Sequence, residues 1–217
     1  MNHTKTILGG AAAVVAAAVT AGLAGATGAE YTDSSSPVQA FADPDTPLGD
    51  STVRRTADGV LATFQAGGVE PGQAITLWWV VFNQPENCSA PGCGPDDIFV
   101  GGDPAAELDA DAIANADIVA SYAAGTVSST DGTVSMASRL TAGEPGAGVI
   151  FGDGAVLEDA AAAEIHLVTR SHGPAVTGRV VDQTTSFEGG CESMLNPPES
   201  ADAEGECVDI QYSVHQP

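Results

Sequence analysis

The stretch Ala74–Asn83, AITLWWVVFN, constrains the fold more than any other part of the chain. It is β-branched and aromatic, and it holds neither Gly nor Pro, which is the composition of a strand. Side chains alternate along a strand, so Trp78, Val80 and Phe82 share one face and Trp79, Val81 and Asn83 the other. Apolar residues on both faces predict a central strand covered from both sides. The strand ends before Pro85.

Short segments of the same kind recur along the chain. Strands are expected over about Val60–Gln65, Asp117–Ser129, Thr133–Leu140, Glu164–Ser171 and Val208–His215. Thr130-Asp131-Gly132 reads as a hairpin turn between the second and third of these. The last strand alternates cleanly, with Val208, Ile210, Tyr212 and Val214 expected inward and Asp209, Gln211, Ser213 and His215 outward. Asp103-Pro104 resembles an N-cap, so a short helix is expected from Pro104 to about Asn115. Thr184–Phe187 reads as extended. Seven to nine short strands with Gly-rich turns and little helix predict an all-β fold, an antiparallel β-sandwich or barrel; the runner-up is a barrel-like α+β domain.

The rest of the chain frames this domain. Lys5, the apolar run Ile7–Leu23 and the small residues that follow make residues 1–29 a secretory signal peptide, cleaved near Ala26 or Ala29. Residues 30–51 carry Pro37, Pro44 and Pro47 among small polar residues and read as a disordered linker, leaving residues 52–217 as a single domain. Four cysteines in an exported chain read as two disulfides. The favoured pairs are local, Cys88 with Cys93 and Cys191 with Cys207, the latter enclosing a Pro/Glu/Ser-rich loop whose closure stabilises the fold by about 3 kcal/mol. A zinc site using all four cysteines is disfavoured, because the second pair is too widely spaced.

Charge narrows the choice of partner. Beyond the leader, five arginines face all 29 acids, a net charge of −24 with no lysine left. Such a chain lacks the basic footprint that nucleic acid or anionic lipid requires. A surface stripped of Lys and loaded with carboxylates is the pattern of a salt-adapted protein.

The chemistry-bearing residues concentrate in Ala163–Val181, AEIHLVTRSHGPAVTGRVV. On one straight strand Glu164, His166, Arg170 and His172 share a face and form the candidate binding set. Glu164 and His166 lie about 7 Å apart, whereas His166 and His172 are about 20 Å apart. His215 joins the first two if the last strand pairs alongside, and Glu164, His166 and His215 then form a candidate metal set suited to Zn or Cu. Ser171 next to His172 is no triad, since neighbours on a strand point to opposite faces. Gly-x-Ser-x-Gly, His-Glu-x-x-His and phosphate-loop motifs do not occur. Arg170 and Arg179 are expected to pair with acids or to grip a carboxylate ligand.

The phrases LWWVVFNQPENC, AEIHLVTRSHGP, FEGGC and CVDIQYSVH resemble a group of exported, uncharacterised bacterial and archaeal proteins, over roughly residues 60–215. That resemblance implies an exported all-β type and carries no activity with it. A fainter similarity is to CHRD domains, extracellular β-modules with a His-x-His pattern, from which Glu164-Ile165-His166 departs at its first position. The function expected on these grounds is a non-catalytic secreted or cell-surface β-module with a cell-surface partner. A metal-dependent enzyme or metal carrier built on Glu164, His166 and His215 is the competing class.

Overall fold

The computed structural model describes residues 30–191 and 207–217; the expected signal peptide lies outside them, as does nearly all of the loop between Cys191 and Cys207. Eight strands form one antiparallel sheet: β1 Tyr31–Ala40, β2 Pro47–Thr56, β3 Gly59–Ala66, β4 Gln73–Phe82, β5 Ile118–Val127, β6 Val134–Thr141, β7 Glu164–Pro174 and β8 Val208–His215. Their spatial order is β5-β4-β7-β8-β1-β2-β3-β6. The sheet rolls into a nearly closed barrel, whose two ends meet where the Ser138 hydroxyl donates to the Ala123 carbonyl at 2.8 Å. Two short helices, α1 Ala110–Asn115 and α2 Val180–Thr185, lie among the described residues.

β4 is the central strand that its sequence predicts. Its inner face contributes Ile75, Leu77, Trp79 and Val81 to the barrel core, together with Phe64, Val119, Ile165 and Leu167. Each fully buried Leu, Ile or Phe of this kind contributes about 1.5–3 kcal/mol. Its outer face is covered as well. Phe82 packs with Ile98, Ile113 and Ile118 beneath the segment that follows the strand. Trp78 meets Tyr122 and Phe187 edge-on.

Both expected disulfides are present, Cys88–Cys93 and Cys191–Cys207. The first pins the covering segment against the outer face of β4, and the second ties the start of β8 to the turn after α2.

Several local expectations are corrected. Residues 30–51 are not a linker: β1 pairs with β2 from Tyr31↔Thr56 to Gln39↔Pro47. Proline is tolerated at position 37 because β1 reaches β8 only at Gln39 and Ala40, so most of its other edge is unpaired. β5 and β6 do not form a hairpin. Asp131-Gly132 turns the chain across the barrel seam, and β6 pairs along β3. α1 starts late, capped by the Asp109 carboxylate accepting the Ala112 N–H at 3.0 Å, because the bridge between Phe99 and Leu108 holds the preceding segment extended. Thr184 and Thr185 end α2 rather than an extended segment.

Asp209 is exposed as expected, but from Gln211 onward the faces of β8 are reversed. Gln211, Ser213 and His215 are buried inside the barrel, while Val208, Ile210, Tyr212 and Val214 are half-buried. The reversal has a cause in the neighbouring strands. The inner positions of β1 and β2 include Ser34, Ser36, Ser51 and Arg55, so this sector of the interior is polar.

Candidate functional site

β7 carries the candidate residues, and its pairing decides where each one points. Val80↔His166 and Thr76↔Arg170 across β4 place Glu164, His166 and Arg170 on the outer face of the sheet. Glu164 is almost fully buried beneath the Cys88–Cys93 loop. Its Oε1 accepts the Cys93 backbone N–H at 3.0 Å and lies 2.7 Å from His166 Nε2. The His166 ring leans on Phe82 with ring centres 4.8 Å apart, and 12% of its side chain remains exposed. The expected proximity of Glu164 and His166 is therefore present as a direct hydrogen bond. Such a pair can orient an imidazole and hold a proton, but Cys93, whose backbone it grips, is in a disulfide and offers no thiol.

His215 does not complete this set. β8 pairs along β7 as the metal reading requires, with Ile165 opposite His215 and Val214 opposite His166. Cross-strand partners share a face. His215 therefore points with Ile165 into the barrel, on the far side of the sheet from Glu164 and His166. Its Nδ1 lies 2.9 Å from the Ser34 hydroxyl and its Nε2 2.8 Å from the Ser51 hydroxyl. Burial, reinforced by the positive charge of Arg55 and by His166, pushes the imidazole down to about 4. Beside it the Arg55 guanidinium, 5% exposed, donates to the carbonyls of Ala160, Ala163, His215 and Gln216. Four carbonyls replace a carboxylate as partner to this buried cation. Burial lowers Arg55 from its ordinary value.

Arg170 is a structural residue. Its Nη1 donates to Asp209 at 2.8 Å, Nη2 reaches the Cys207 carbonyl at 3.4 Å, and the guanidinium lies 4.2 Å above the Phe187 ring. Arg179 is exposed at the start of α2.

His172 sits at an irregularity in β7. Instead of ending at Ser171, the strand runs on to Pro174, and the register with β4 shifts between Gln73↔Pro174 and Ile75↔Ser171. Gly173, at φ 73°, supplies the left-handed backbone that such a bulge requires. The imidazole is fully buried. Its Nδ1 donates to the Gly189 carbonyl at 2.8 Å, so Nε2 accepts from the Thr76 hydroxyl at 2.8 Å, and Thr76 Oγ1 in turn accepts the Trp78 indole N–H at 2.7 Å. One tautomer satisfies the whole chain. Burial is the main cause that pushes His172 down to about 4; Arg170 adds to it, while the Gly189 bond and Asp182 oppose it. The Ser171 hydroxyl donates to Gln73 Oε1 at 3.4 Å, so Ser171 and His172 make separate contacts.

His166 and His172 are thus six residues apart on a continuous strand, and His215 lies on its other face. The three histidines do not converge. Two groupings among the described residues do bring metal-ligating atoms within 4.8 Å of one another: His172 with Cys191 and Cys207, and Cys88 with Cys93 and Asp97. Sequence reasoning missed both because each depends on a contact that spacing does not reveal. The roles of Ser34, Ser51 and Arg55 were hidden for a related reason, since two lie in the supposed linker and the third just beyond it.

Comparison with protein-family models, with curated proteins and with solved structures finds no match.

Proposed function

We propose that the protein is a non-catalytic β-module of the secreted or cell-surface space, a rigid scaffold that presents its outer surface to a cell-surface partner. The observation that carries this reading is how the histidines are used. His172 and His215 are buried, with both ring nitrogens of each held by groups of the fold, and Glu164 is shared between His166 and the Cys93 backbone. The side chains best able to do chemistry act as internal fastenings. Two disulfides fit an oxidising compartment. No described helix is long and apolar enough to cross a membrane.

Metal analysis tests the reading directly. Protein purified in high salt without chelator, with both disulfides intact, should carry far less than one equivalent of Zn or Cu. About one equivalent, retained by the wild type and lost in His166→Ala, overturns it. Leader cleavage is tested separately by N-terminal sequencing of the protein recovered outside the cell, which should begin just after Ala26 or Ala29; recovery only inside the cell with Met1 retained contradicts export.

A further inference from the structure

We infer that Cys191, Cys207 and His172 form a redox-gated metal site, closed as a disulfide and able to bind a zinc-class cation once the disulfide is reduced. His172 Nδ1 lies 3.7 Å from Cys191 Sγ and 3.6 Å from Cys207 Sγ. A tetrahedral zinc, with Zn–S near 2.3 Å and Zn–N near 2.0–2.1 Å, separates a sulfur from a nitrogen by about 3.5 Å. The two nitrogen-to-sulfur distances are therefore already those of a metal site. Two things must change: the sulfurs part, from bonding distance to about 3.8 Å, and Nδ1 gives up its bond to the Gly189 carbonyl.

The imidazole is placed for this by the fold on every side. Thr76 holds Nε2 from below, and the Trp78 indole fixes Thr76. Gln183, itself buried, donates to the His172 backbone carbonyl at 3.1 Å. The Gly189-Gly190-Cys191 turn packs so closely on α2 that a Cβ at Gly189 would come within 1.9 Å of the Asp182 carbonyl oxygen. A neutral imidazole and two thiolates are a soft donor set suited to Zn²⁺. They leave a fourth position for water or an outside ligand.

The chemistry balances with a dithiol as reductant. Two electrons and two protons enter the S–S bond, giving two thiols and the reductant's own disulfide. Metal binding then releases both thiol protons to solvent. The imidazole stays neutral but changes tautomer: Nδ1 gives up its proton and the Gly189 carbonyl for the metal, Nε2 takes a proton from solvent, and the Thr76 hydroxyl turns from donor to acceptor there. The disulfide and the metal are thus alternatives at one site, and the proposed module in its oxidised state remains metal-free.

The test uses the whole mature chain, folded in high salt, with Cys88→Ser and Cys93→Ser removing the other cysteine pair. After reduction with a phosphine, titration with Co²⁺ should give a thiolate-to-cobalt charge-transfer band and tetrahedral d–d bands, saturating at one equivalent and displaced by Zn²⁺. Before reduction the same titration should give neither. Cys191→Ser with Cys207→Ser should abolish the bands. Because His172 is buried and its replacement risks unfolding, the imidazole is read on zinc-loaded protein that retains it. X-ray absorption should show two sulfurs near 2.3 Å and imidazole nitrogen near 2.0 Å. No saturable binding after reduction overturns the inference, as does binding that survives loss of Cys191 and Cys207, or a metal shell without imidazole.

Discussion

His172 and His215 are buried as neutral rings, and this fixes how stability depends on pH. Their folded-state values lie near 4, below the ordinary 6.5, so the unfolded chain takes up these protons first as the pH falls. Stability from this source is complete above about pH 6.5 and is lost as pH falls toward 4, by up to about 3 kcal/mol for each ring. Urea unfolding at fixed molar salt between pH 7.5 and 5 should show that decline, above the range where most carboxylates titrate. His215→Gln should be less stable at pH 7.5 and show about half the slope; an unchanged slope means that His215 does not contribute to it. Arg55 gives a second prediction. Arg55→Met removes the donors from four carbonyls at once, those of Ala160, Ala163 and His215 in buried contacts, and an unpaired buried acceptor costs about 1–3 kcal/mol. Denaturant unfolding at pH 7.5 should register a loss of at least about 3 kcal/mol. A loss below about 1 kcal/mol would mean that water replaces the guanidinium.

Individual elements show what could be read from the sequence and what could not. β4 was legible because hydrophobic burial governs both of its faces. The disulfides were legible because short loops favour local pairing. Glu164 and His166 were legible as neighbours because a period of two puts them on one face. The same period misled at β8, since alternation shows which residues share a face but not which face is inside. There the interior is polar: His215 meets Ser34 and Ser51, and the Gln211 amide donates to the Gly67 carbonyl at 2.7 Å. The start of β1 looks like a linker for a related reason: Ser34 and Ser36 are polar where they line this sector, and Tyr31, Thr32, Asp33 and Ser35 are exposed, so no apolar alternation marks a strand. The bulge that aims His172 at the second disulfide depends on register, which no local pattern discloses. Truncation tests the correction at β1. A chain beginning at Glu30 should unfold cooperatively at the same midpoint as the mature protein. A chain beginning at Thr46 lacks the strand that joins β8 to β2, so it should lose its cooperative transition. If residues 30–45 were a linker, the two would unfold alike.

Across the whole molecule, acidity and packing are nearly independent. Asp97 and Glu164 are the only buried acids among the described residues, each bonded to backbone N–H groups of the Cys88–Cys93 region. The other described acids lie at or near the surface. Only two arginine–carboxylate pairs offset them there, Arg54–Asp33 and Arg170–Asp209. Unpaired surface carboxylates repel one another, and dissolved salt screens that repulsion. Screening length falls from about 10 Å at 0.1 M salt to about 3 Å at 1 M, which shortens the reach of repulsion between exposed carboxylates. Urea unfolding at pH 7.5 should consequently show stability rising by a few kcal/mol between 0.1 and 1 M KCl and flattening beyond that. Stability that does not change across this range rejects salt adaptation. A neutralised variant separates screening from general salt effects on apolar burial, which strengthen the core whatever the surface charge. Asp43→Asn, Asp45→Asn, Glu86→Gln and Glu107→Gln alter exposed acids, the first two on the β1–β2 loop and the others on two further connections. Together they should raise stability at 0.1 M KCl and leave it nearly unchanged at 1 M, because the charges they remove are already screened there. An equal gain at both concentrations would mean that screening of these charges does not cause the salt response and would assign that response to the core; no gain at 0.1 M KCl would leave these acids without a part in stability.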